Sequence, residues 1–238
     1  MTVDCRDYQK YYRKAMFSVI LGLFCFSCTG NKQETNSQVK NNTPVLPVNL
    51  IYKDILIKEK SDHILIPVSI SPDKNQEREG IFNRNSKKTE NYYNIIFYSK
   101  SSGETSLLLN KEAIIKSFDF IEVTQEDSTQ GFWIYKIIEN DTNNDNMMNH
   151  KDAMIAYISD SSGKNLRKIT PDNTQLINWS LIPNQEEIII KVLEDTDKDK
   201  NFSELDRATF LKVSLSKPQI GNEIIKDELE KKIKSYIK

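Results

Sequence analysis

From residue 50 onward the chain is a succession of short runs rich in Ile, Val, Phe and Tyr, separated by clusters of Gly, Asp, Asn and Ser. That alternation is the strand-and-turn signal. Strands are expected at 50–57, 63–70, 92–99, 106–109, 113–123, 131–139, 153–159, 166–170, 175–182, 187–193 and 209–215, which makes the chain all-β. The runs also repeat. Tyr98-Ser-Lys-Ser-Ser-Gly-Glu104 matches Ile158-Ser-Asp-Ser-Ser-Gly-Lys164 at an offset of 60, each after an aromatic-rich strand. Three units follow, at about 50–110, 111–171 and 174–220. The second reads as a four-stranded antiparallel meander, and the third does too, with a weak fourth strand near 220–225. Only 221–238 has helical character, with Ile224, Ile225, Leu229, Ile233 and Ile237 recurring at turn spacing among Lys and Glu. Its polar face carries both charge signs, so this amphipathic helix is expected to pack on the sheet rather than lie on a membrane.

A four-stranded repeat suggests a propeller blade. Residues 155–190 add to this. A strand, an Asp160-Ser-Ser-Gly163 turn, a strand ending Ile169-Thr170, then Asn178-Trp179-Ser180 and Glu187-Ile-Ile-Ile190 resemble the repeats of TolB-like (PD40-type) β-propellers. The chain departs from that pattern at Leu181-Ile-Pro-Asn-Gln185, where the family has a Ser-Pro-Asp-Gly turn. It also has about three units, where closed propellers have four to eight. The expectation is therefore a propeller-like but open stack of sheets capped by the C-terminal helix, or else a different unit count.

Two acidic loops lie 54 residues apart. The first is residues 141–152, with Asp141, Asn143, Asp145, Met147, Asn149 and Asp152 at positions 1, 3, 5, 7, 9 and 12. The second is 195–206, with Asp195, Asp197, Asp199, Asn201, Ser203 and Asp206 in the same places. This is the oxygen spacing of an EF-hand-type calcium loop: alternate side chains of a tight loop point inward, and position 7 supplies a carbonyl. Position 8 is apolar in both (Met148, Phe202) and suits a core anchor. Asp replaces the usual Glu at position 12, which weakens binding. At position 6, where φ > 0 favours Gly, stand Asn146 and Lys200. The second loop has four carboxylates against three and is expected to bind calcium more tightly. Flanking strands, instead of helices, make these loops hairpin closures.

The N-terminus reads as an export signal. Arg6, Lys10, Arg13 and Lys14 precede a 13-residue apolar run, 15–27, too short to span a bilayer as a helix. Cys25-Phe-Ser-Cys28 resembles a bacterial lipobox, although Cys25 and Phe26 depart from its usual residues. That resemblance implies a signal peptide at 1–27 and an acylated Cys28 held in the lipid bilayer of the cell envelope, outer-membrane or surface, with palmitate among the acyl chains. Residues 28–48 are polar and read as a flexible tether to the domain at 49–238. The other cysteine is Cys5, so the domain has no disulfide framework.

With 33 basic and 34 acidic residues, the net charge of −1 offers no electrostatic basis for nucleic-acid binding. A catalytic set is missing as well. His63 and His150 are the only histidines, and no Gly-rich phosphate loop or nucleophile elbow is present. Trp133 and Trp179 are expected in the core. The expectation is a non-enzymatic, lipid-anchored, calcium-stabilised envelope protein. The alternatives are recognition of a glycan or envelope protein, and last a carboxylate hydrolase.

Overall fold

The computed structural model describes residues 48–71, 90–125 and 128–237. The expected signal peptide, Cys28 and nearly all of the tether lie outside them. The chain divides after Val45, and the described residues belong to the second compact unit, Leu46–Lys238.

Three antiparallel meanders follow one another. The first sheet contains β1 (Leu50–Tyr52), β2 (Leu56–Ile57), β3 (His63–Ile70), β4 (Asn94–Ser99) and β5 (Thr105–Leu107). The second runs β6 (Ile114–Gln125), β7 (Ser128–Ile138), β8 (Ile155–Asp160) and β9 (Arg167–Lys168). The third runs β10 (Thr174–Leu181), β11 (Glu187–Glu194), β12 (Arg207–Ser214) and β13 (Asn222–Glu223). The arrangement is propeller-like and open, as expected.

The run expected as one strand at 50–57 is split. Tyr52 pairs with Val68 and Leu56 with Leu65, so three residues face two. Opposite the break sits Pro67, whose carbonyl accepts a hydrogen bond from the Lys53 N–H at 2.9 Å. Having no N–H, Pro67 cannot return it, and the ladder interrupts there.

The middle sheet is buried on both faces, and strand periodicity explains how. Trp133, Tyr135 and Ile137 on β7, with Ile155 and Tyr157 on β8, join Leu65, Ile95 and Phe97 of the first sheet in one core. Their alternates, Ile134, Ala156 and Ile158, join Leu176, Ile188, Ile190, Val192, Leu211 and Val213 of the third. A bulge between Ile115 and Ser117 changes the parity of β6. Ile115 before it and Phe118 and Phe120 after it therefore share the face toward the first sheet, while Ile121 and Val123 face the third. Both Ser-Ser-Gly turns fold alike, and the second one touches the first sheet. Gly103 and Gly163 both have positive φ (74° and 77°). A Cβ on Gly163 would lie 2.4 Å from the Phe97 ring, so the turn lets the first sheet approach the second.

The two outer faces of the stack differ in chemistry. On the first sheet, register places Ile57, Ile64, Tyr98 and Thr105 in one row, Ile66, Ile96 and Leu107 in the next, and Tyr52, Val68 and Asn94 in a third. Register on the third sheet places Glu187 beside Ser214, Ile189 beside Lys212, and Lys191 beside Phe210. Lys212 and Glu187 form an ion pair at 3.0 Å.

The C-terminal helix α1 spans Asp227–Tyr236, shorter than the expected 221–238 because β13 occupies its start. It does not dock through its apolar stripe. None of its residues is buried, and Leu229 and Ile233 stay about half exposed. Ion pairs from Arg207 hold it instead, to Glu230 at 3.0 Å and Asp227 at 3.8 Å. No described helix is long and apolar enough to cross a membrane.

Candidate metal centre

Both acidic loops connect central strands of a sheet, β7 to β8 and β11 to β12, and they fold alike. At positions 4 and 6 the backbone is left-handed in each: Asn144 and Asn146 (φ 61° and 65°), Lys198 and Lys200 (φ 62° and 66°). Asparagine tolerates this readily. Lysine does so at a cost of about 1–2 kcal/mol each. Side-chain oxygens hold the strained turn in place. The position 6 N–H donates to the position 1 carboxylate, Asn146 to Asp141 at 2.7 Å and Lys200 to Asp195 at 3.2 Å. The position 5 N–H donates to position 3, Asp145 to Asn143 at 2.9 Å and Asp199 to Asp197 at 3.1 Å. The position 7 N–H donates to position 5, Met147 to Asp145 and Asn201 to Asp199.

The carboxylate at position 12 closes each loop. Asp152 accepts from Thr142 N at 2.8 Å and Asn149 N at 2.7 Å; Asp206 accepts from Thr196 N at 3.0 Å and Ser203 N at 2.8 Å. Thr142 and Thr196 hydroxyls add a bond each at 3.3 Å. Those threonines, both at position 2, were not singled out from sequence, although their recurrence 54 residues apart was the available signal. Hydrogen bonds from Ser203 and Thr196 hold the Asp206 carboxyl below the usual carboxylate range. Each carboxylate oxygen has two lone-pair directions, so an oxygen that accepts one N–H keeps one for a ligand. Phe202, at position 8 of the second loop, packs on the first core, and Met148 is half-buried.

Where the loops differ is in how their inward groups are satisfied. In the first, the side-chain N–H2 groups of Asn143 and Asn149 donate to Asp145 at 3.3 and 3.5 Å. Turning either amide over would present its carbonyl oxygen instead. In the second, Asp195, Asp197 and Asp199 each bring a carboxylate oxygen within 4.8 Å of the others. Three anions this close repel by about 1 kcal/mol per pair even at the permittivity of water, and by several-fold more near a protein surface. One of those residues also has an orphan atom: Asp195 Oδ1 is shielded from solvent and has no hydrogen-bond partner. Convergent hard oxygens with an unsatisfied one among them fit a divalent cation.

Ion pairs brace the foot of each loop. Below the second, Arg207 pairs with Glu194 at 3.0 Å, joining the two residues that flank the loop. Beside the first, Glu139 is buried and accepts from Tyr157 Oη at 2.6 Å and from Lys111, with Lys168 paired to it as well. Burial pushes its carboxyl up, but the bonds from Lys111, Lys168 and Tyr157 outweigh that and hold it at about 2. Burial, and then this carboxylate, push the Tyr157 hydroxyl up. This network is a structural brace: Lys168 also pairs with Asp172, so its two cations meet two carboxylates.

The other candidates resolve simply. Trp133 is core at 1 % exposure, and Trp179 is partly buried against the second core. His150 is exposed, and His63 is half-buried, its ring in an edge-type contact with Phe97 at 6.5 Å between centroids.

No known family model, curated protein or solved structure matches the chain.

Proposed function

We propose that this is a calcium-binding protein of the bacterial cell envelope, non-enzymatic, anchored by lipid on Cys28, in which calcium staples the central hairpins of a stacked β-repeat. The observation that carries the reading is the shared wiring of the two loops. Twelve-residue segments 54 positions apart hold left-handed residues at positions 4 and 6 and the same carboxylate-to-backbone bonds. Proteins form such loops to aim oxygens at one point, and all-oxygen sets select hard cations. A sensor role would need a helix pair that opens on binding. These loops join paired strands instead, so calcium acts here on stability.

Calorimetric titration of the full chain with calcium should give two sites, the second loop being the tighter. Asp195→Ala should leave only the weaker site. If the wild-type protein binds no calcium at millimolar concentration, the proposal is wrong.

The anchor rests on the lipobox-like Cys25-Phe-Ser-Cys28 after its short apolar run. Two or more acyl chains there would give stable membrane attachment, where a single chain gives only reversible binding. Cells fed labelled fatty acid should incorporate it into the wild-type protein and not into Cys28→Ser. Equal labelling of both would remove the anchor from the proposal.

A further inference from the structure

We infer that the protein self-associates as a two-fold dimer through the outer face of its first sheet, so that two three-sheet stacks become one of six. The face toward the middle sheet is buried in the core. The opposite face is apolar row after row and open at four positions, Leu50, Tyr52, Ile57 and Leu107 being 50, 61, 57 and 62 % exposed, while Val68 between them is buried. Its register positions carry aliphatic, aromatic and neutral polar side chains, and the nearest charges among the described residues, Lys53 and Asp54, sit at the break between β1 and β2. Elsewhere in this molecule, faces of the same composition are covered by another sheet.

Size and charge together name the occupant. With about 200 Å² for a full side chain, the exposed parts of these four residues and Tyr98 come to roughly 500 Å². That lies in the upper half of the range for the largest apolar patch on a monomer, about 300–600 Å². Half-buried Ile64, Ile66, Ile70 and Ile96 extend it. Two such faces reach roughly 1,200 Å², the lower bound of a standard specific interface. The other end of the stack is a poor partner for this face. A head-to-tail contact would bury Lys191 and the Glu187–Lys212 ion pair of the third sheet against hydrocarbon, and desolvating them costs more than a buried pair returns. Head-to-head pairing brings no charged register position into the contact, leaving Lys53 and Asp54 at its β1–β2 edge. It is self-complementary and closed, as an isologous two-fold contact must be.

Sedimentation equilibrium of the full chain in density-matched detergent, between about 1 and 100 µM, tests this. Twice the protomer mass is expected. Leu107→Lys and Tyr52→Lys, at positions too exposed to be needed for folding, should each weaken the dimer at least about tenfold, the effect of one desolvated charge. Lys212→Glu on the far sheet should leave it intact. Three outcomes overturn the proposal. One is a monomer throughout, as expected if another segment of this chain, a lipid surface or a different protein covers the face. The second is a dimer indifferent to both lysine variants. The third is a dimer lost with Lys212→Glu.

Discussion

Trp133→Ala is expected to lower the free energy of unfolding by about 3–5 kcal/mol, a large share of what a domain of this size has. Trp133 is 1 % exposed at the centre of the interface between the first two sheets. Its ring packs against Phe120 at 4.7 Å and Phe118 at 5.8 Å, and Lys58 lies 6.0 Å over it. Truncation leaves a cavity that two twisted sheets cannot close without losing register elsewhere. Trp133→Phe should cost less than half as much, because it keeps a ring and removes an indole N–H that has no partner. Urea unfolding measures both. An alanine cost below about 1 kcal/mol with an unchanged slope would mean that the two sheets do not rely on this contact.

Calcium is expected to raise the melting temperature. Asp-terminated loops outside the cell should have dissociation constants of roughly 10⁻⁴–10⁻³ M, so about 2 mM calcium adds about 0.7–1.8 kcal/mol per loop by mass action. For a domain of this size the two loops together move the midpoint by about 3–12 °C. Asp195→Ala should remove the larger share, since Asp195 is the ligand candidate with an oxygen left unpartnered. Asp141→Ala should remove the remainder. Magnesium should do less, because it gives up water reluctantly and demands a strict octahedron. A melt that calcium does not shift, or a double variant that still responds fully, sinks the reading.

The strands and both loops were legible in the amino-acid sequence for physical reasons that act locally. Side-chain alternation and β-branching mark a strand within five to eight residues, and turn residues mark its ends. The recurring Ser-Ser-Gly turn and the 54-residue offset of the acidic loops exposed the repeat, so the three meanders fell almost where expected. Spacing alone also placed Asp195, Asp197 and Asp199 at one point, because a twelve-residue loop leaves few ways to arrange its side chains.

What needed the tertiary structure was every relation between segments far apart. Nothing local to 50–57 says that Pro67 will sit opposite and split it. The bulge at Lys116, which turns Phe118 and Phe120 to the same side as Ile115, depends on pairing with β7. The stripe of Leu229 and Ile233 predicts a helix but not that Arg207, next to the second acidic loop, would hold it by charge while leaving the stripe open. Position 12 of each loop was read as a ligand from its spacing, and only the fold shows Asp152 and Asp206 gripping the backbone of Thr142 and Thr196 as well. Sequence determines which face of a strand is apolar. Which apolar face another sheet covers depends on how the chain stacks, and here stacking buried both faces of the middle sheet and left one face of the first exposed.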